Sequence, residues 1–165
     1  MKLTRIALFV LVAAMLLCTV GCAKTTEQEG ALTVNGEAVQ DVTVLFCREK
    51  REEYVTLPLL AVLEKIGCEI ERNDAGQITV TPCGTAEATV FILDMQKQTM
   101  VTEDHPLNNI LMPAPGATRY VCLFTESDVT VDDVTFKSVC FWMGLDITVD
   151  YDFDGKTISV ECAQP

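Results

Sequence analysis

Two stretches of the chain carry the same hydrophobic spacing. Leu59, Val62, Leu63 and Ile66 stand at i, i+3, i+4 and i+7, and Phe136, Val139, Cys140 and Met143 repeat that set 77 residues later. Each set makes one apolar face of a 3.6-residue period, so the pattern predicts two amphipathic helices. Thr56 is placed to cap the first, with Pro58 tolerated in its first turn, and Asp132 or Asp133 to cap the second. Gly67 and Gly144 fall where left-handed C-terminal stops are expected.

After each glycine the period changes to two. Cys68, Ile70, Ile78 and Val80 alternate with Glu69, Glu71 and Thr79 around an Asn73-Asp74-Ala75-Gly76 turn. Leu145, Ile147, Val149, Ile158, Val160 and Cys162 do the same around Asp152-Phe153-Asp154-Gly155. Each unit therefore reads as strand, helix, hairpin, and the two units span about residues 32–83 and 88–162. Asn35-Gly36 suits a type I′ turn, and Ala88–Leu93 with Met95–Val101 reads as a further strand pair. Asn108–Thr118, with Pro113, Pro115 and Gly116, reads as a loop. Two helices on one face of an antiparallel sheet, built from two strand-helix-hairpin repeats, predict an α+β fold.

The first residues follow a different logic. Lys2 and Arg5 precede Ile6–Leu17, an unbroken apolar run of 12 residues. That is shorter than the ~20 residues a membrane-spanning helix needs and fits the apolar core of a secretory signal. Gly21-Cys22 follows, with Thr19 three residues before the cysteine. This resembles the lipoprotein signal of bacteria, in which the cysteine is acylated and becomes the new N-terminus, although leucine is usual where Thr19 stands. The resemblance implies a signal peptide over 1–21, lipidation at Cys22, and a protein on the outer face of the bacterial cytoplasmic membrane or another envelope membrane. Two acyl chains hold a protein stably where one does not. Residues 22–30 are polar and without apolar period, which predicts a flexible tether leading to a domain over 31–165.

Val34-Asn35-Gly36, Tyr54-Val55-Thr56-Leu57-Pro58-Leu59, Ile66-Gly67 and Ile78-Thr79-Val80 resemble the copper amine oxidase N-terminal-like domain, or stalk domain, of bacterial envelope proteins. The second copy keeps Met143-Gly144, Val149-Asp150 and Ile158-Ser159-Val160 but lacks the proline, and the first hairpin lacks its usual tryptophan. These motifs make a fold more than a site. The enzymes that name the family need three copper-binding histidines, whereas this chain has one, His105, beside Pro106.

Composition narrows the chemistry further. The 165 residues carry Lys+Arg 12 against Asp+Glu 24, a net charge of −12, which argues against a nucleic-acid partner because phosphates are repelled. Loss of Lys2 and Arg5 with the signal takes this to −14, and a domain so charged is expected to stand off anionic headgroups. Asp150, Asp152 and Asp154, then Gly155 and Glu161, satisfy the calcium-loop pattern D-x-D-x-D-G-x5-E. The flanks alternate like strands rather than helices, so a solvated hairpin turn is favoured over a metal site. Beyond Cys22 the domain holds six cysteines: Cys47, Cys68, Cys83, Cys122, Cys140 and Cys162. Outside the membrane they allow 15 disulfide pairings, and strand parity argues only against Cys68–Cys83.

Asp132-Asp133 and Glu52-Glu53 are adjacent pairs that point apart, and no nucleophile elbow or phosphate loop occurs. No catalytic residue or cofactor is expected. The functional expectation is a non-enzymatic binding or spacer domain, attached to the membrane through its lipid and facing an envelope protein or cell-wall polymer. The alternative is an extracellular module binding a small ligand or calcium.

Overall fold

A computed structural model of the chain describes residues 26–49, 52–82, 89–103, 109–111 and 121–163. The signal segment, Cys22, Cys83 and His105 lie outside the described residues. Two helices, of 8 and 10 residues, stand among thirteen strands in this part of the chain. A five-stranded antiparallel sheet contains, in spatial order, β1 (Thr26–Glu29), β4 (Leu45–Glu49), β5 (Glu52–Pro58), β11 (Val129–Asp132) and β10 (Cys122–Phe124). A four-stranded sheet follows the order β12 (Ile147–Asp152), β13 (Thr157–Cys162), β2 (Ala31–Val34) and β3 (Glu37–Ala38). A second four-stranded sheet is the meander β6 (Glu69–Arg72), β7 (Gln77–Thr81), β8 (Phe91–Asp94) and β9 (Thr99–Thr102). Helix α1 (Leu59–Ile66) follows β5, and α2 (Asp133–Trp142) follows β11.

This overturns the expected α+β arrangement of two helices on one continuous antiparallel sheet. The protein is mostly β, with three sheets, and β13 pairs with β2 in parallel. The reason is physical. Period-two alternation tells a strand which face is buried but not which neighbour takes its backbone hydrogen bonds. The free edge of β7 is taken by β8 and that of β13 by β2, so each hairpin extends into its own sheet instead of joining the central one.

Of the segment 22–30, expected as a flexible tether, the described part holds a strand. Thr26–Glu29 has no apolar period and is exposed throughout, yet it pairs with β4 from Thr26↔Arg48 to Glu29↔Leu45. Backbone pairing along an open edge, not side-chain burial, orders it.

The predicted helix faces are buried as sets. Leu59, Val62, Leu63, Ile66, Phe136, Val139, Cys140 and Met143 all enter one hydrophobic cluster with strands of all three sheets. Gly67 adopts φ +108° and Gly144 φ +69°, the left-handed region that glycine enters without a Cβ penalty. Both helices close with the same bonds: Cys68 N–H donates to Leu63 O at 3.0 Å, and Leu145 N–H to Cys140 O at 2.9 Å. Asn35 and Gly36 both take positive φ, as the I′ turn between β2 and β3 requires.

The helix starts differ from each other. Asp132 caps α2, accepting from Thr135 N–H at 2.7 Å. Thr56 does not cap α1. It lies inside β5, and its buried Oγ1 has no hydrogen-bond partner among the described residues. The α1 start is held by Asp128, whose two carboxylate oxygens accept from Leu60 N–H at 2.8 Å and Ala61 N–H at 3.0 Å.

Candidate functional site

The two helices occupy equivalent places, but their outward faces differ. On α1 the outward pair is Glu64 and Lys65. Lys65 Nζ donates to Glu37 Oε2 of β3 at 2.6 Å, and that hydrogen bond, with the ammonium charge, holds the Glu37 carboxyl below the usual carboxylate range. Moving 77 residues along, Glu64 becomes Phe141 and Lys65 becomes Trp142. Phe141 is 78% exposed and Trp142 57%, their rings meeting edge to face with centroids 6.4 Å apart. Val134, about two turns before both on the same helix, is 54% exposed.

A groove of about 530 Å³ runs along this side of α2. Half-buried Leu145 and Ile147 contribute apolar lining where the chain turns into β12, and Asp133, Lys137 and Asp146 add charge. Fold-making accounts for Phe136, Val139, Cys140 and Met143, which face the core. It does not account for an aromatic pair in water where the sister helix uses a glutamate and a lysine. Exposed contiguous apolar surface of this kind marks a contact site. Sequence reasoning fixed on the inward set and passed over this face. The signal was present: α2 has large apolar residues on both sides, whereas α1 has them on one.

The calcium candidates are placed without converging. Asp150 pairs with Ser159, Asp152 with Thr157, and Glu161 with Thr148 along the β12–β13 ladder. Glu161 thus lies four pairs from Asp152, about 13 Å at ~3.3 Å per residue. Asp152 Oδ1 accepts from Asp154 N–H at 2.9 Å, a side-chain-closed turn, and Glu161 accepts from Ser159 Oγ at 3.2 Å. Among the described residues no group of three His, Cys, Asp or Glu is spaced to hold a metal ion.

The hairpin tip packs instead as an aromatic cluster. Phe153 meets Phe46 at 5.2 Å and Tyr151 at 5.7 Å between ring centroids, with the Arg48 guanidinium 5.7 Å over its ring. Arg48 also forms an ion pair with Glu53. Lys50 and Arg51 lie outside the described residues.

Among the described cysteines, Cys47, Cys68 and Cys140 are buried and Cys122 and Cys162 half-buried. Burial in the core pushes the Cys140 thiol well above its ordinary range, and the Cys68 and Cys162 thiols nearby add to the shift. A thiol so placed behaves as a small core hydrophobe. Asp132 and Asp133 are both buried at the start of α2, where Asp132 Oδ2 also accepts from Val121 N–H at 3.3 Å. Among the described residues no helix is long and apolar enough to cross a membrane.

Comparison with protein-family models, with curated proteins and with solved structures finds no match to this chain.

Proposed function

We propose that this protein is an envelope lipoprotein, held by acyl chains on Cys22, whose domain works by surface contact and carries out no reaction of its own. The observation that supports the contact role is the exposed Phe141-Trp142 pair on α2. It occupies positions that hold Glu64 and Lys65 in the first copy, so the fold itself places no demand for aromatic side chains there. The apolar run ending at Gly21-Cys22 supports the anchor. The motifs shared with stalk domains agree with a spacing and contacting role, by analogy of fold-making residues.

The test is site-specific photocrosslinking in the native envelope. A benzophenone side chain at position 141 is expected to give a defined adduct, whereas the same group at position 64 gives none. Equal adducts from both positions, or none from either, removes the contact role. Cys22→Ala is expected to move the protein from the membrane to the soluble fraction; unchanged membrane association removes the anchor.

A further inference from the structure

The hairpin turns of the two copies match position by position. Ile78 and Val80 return 80 residues later as Ile158 and Val160, which sets Asn73, Asp74 and Gly76 against Phe153, Asp154 and Lys156. The backbone agrees with this alignment. Gly76 takes φ +76° and Lys156 φ +51°. Gly76 O accepts from Met95 N–H at 3.2 Å, and Lys156 O from Ala31 N–H at 2.9 Å, so each carbonyl ties its turn to the next segment of its sheet. The acid is common to both turns, as turn chemistry selects it. The other two positions differ. Asn73 closes its own turn, its Oδ1 accepting from Ala75 N–H at 3.0 Å and Gln77 N–H at 2.9 Å. In the second copy Asp152 closes the turn, accepting from Asp154 N–H at 2.9 Å, and Phe153 is released from that role. Gly76 suits the left-handed region, where the Cβ of a lysine is strained. The turn therefore asks for neither the ring nor the ammonium.

Phe153 and Lys156 line one cavity of about 260 Å³, shared with β1 and β4. Buried Phe46 meets the Phe153 ring at 5.2 Å between centroids, and the two form an apolar wall. Arg48 stands over Phe153 with Nε and Nη2 turned to Glu53, which leaves the Nη1 donors. Lys156 makes no ion pair among the described residues. Thr26 of β1 adds a hydroxyl. Charge sets this cavity apart from its neighbours. The groove beside α2 carries Asp133 and Asp146 against Lys137, and the cavity at the start of α1 carries Asp41, Glu64 and Asp128 against Arg72. Here Arg48 and Lys156 face one acid, Asp154, so the lining is cationic in a chain of net charge −12.

We propose that this cavity binds a phosphate monoester with an apolar organic part. The phosphate oxygens accept from Arg48, Lys156 and Thr26, and the organic part lies against Phe46 and Phe153. Glu53 already takes the guanidinium edge that a planar carboxylate would use. Donors arriving from β1, β4 and the turn suit an anion with three terminal oxygens and roughly two negative charges. The apolar wall separates such an ester from inorganic phosphate. Nothing in this site depends on the α2 face or on acylation of Cys22.

Calorimetric titration of the full chain with phenyl phosphate, in buffer free of other phosphate, tests the assignment. Expected are saturable heat with a Kd below about 1 mM, and binding of inorganic phosphate about tenfold weaker. Lys156→Gly, which writes the first copy's residue into the turn, lowers the affinity for phenyl phosphate about tenfold. Its melting temperature holds or rises, because glycine enters the left-handed region freely. Lys156→Asn, also tolerated at positive φ, gives the same loss of affinity. Phe153→Asn removes the preference for phenyl phosphate over inorganic phosphate. Absence of saturable heat overturns the site. Benzoate or phenol held as tightly as phenyl phosphate overturns the phosphate specificity and the proposal with it. Affinity untouched by Lys156→Gly puts the binding elsewhere, and a lower melting temperature in that variant means that the lysine serves the turn; either result overturns the assignment.

Discussion

Helix α1 and helix α2 are the same device made twice, with identical closing bonds and inward faces that share one core. Their outward faces show what the fold leaves free. On α1, Lys65 reaches back to Glu37 of the same domain, while on α2 the equivalent position carries Trp142, more than half exposed. Their starts differ as well. The α2 start is capped from within by Asp132, and the α1 start by Asp128, which belongs to the second copy. Inward positions and C-terminal stops are thus common to both units because the core and the left-handed turn demand them. Caps and outward faces diverge because several solutions satisfy the backbone, and water accepts many side chains.

The largest test of this kinship is at its centre. Val62 and Val139 are equivalent residues, both fully buried in the shared cluster. Val62→Asp and Val139→Asp are each expected to unfold all three sheets in one transition, since an unpaired buried charge costs several kcal/mol against a total of ~5–15. Calorimetry showing half the molecule surviving either substitution would mean that the copies fold separately. The caps come next. Asp132→Ala should cost about 2–3 kcal/mol, because a buried carboxylate with two backbone donors is lost. Asp128→Ala, at a half-buried site, should cost about 1 kcal/mol, both read by denaturant titration. The smallest effect is the most telling. Phe141→Glu with Trp142→Lys, which writes the α1 residues onto α2, should leave stability within about 0.5 kcal/mol. A larger loss would show that the aromatic pair serves the fold.

What could be read in the sequence was local. The apolar spacing of Leu59–Ile66 and Phe136–Met143, the stops at Gly67 and Gly144, and the Asn35-Gly36 turn are each set by residues within a few positions of one another. What could not be read was partnership at long range. Asp128 is 68 residues from the Leu60 N–H that it accepts, so Thr56, close by and of the right type, drew the capping role on paper. The same holds for sheet membership. Alternation puts Ile158 and Val160 on an inner face, but nothing in it says that β13 lies beside β2 rather than beside the central sheet. The aromatic face of α2 was legible in principle, because Phe141 and Trp142 stand off the stripe that Phe136, Val139 and Cys140 define.

The parallel contact of β2 with β13 has a consequence in time. Thr33 Oγ1 donates to Ile158 O across 125 residues of chain, and Cys162 N–H donates to Asn35 Oδ1 across 127. A chain made from its N-terminus therefore produces β2 long before its neighbour exists. During that interval β2 has only the two-residue β3 beside it, and Leu32 and Val34 have no β13 side chains to pack against. Such an edge invites wrong pairing, and contacts this distant in sequence form slowly. The sheet that β2 opens is completed only by β13, the last strand of the described residues, which makes the interval between β2 and β13 the period in which this protein depends most on being kept apart from other chains.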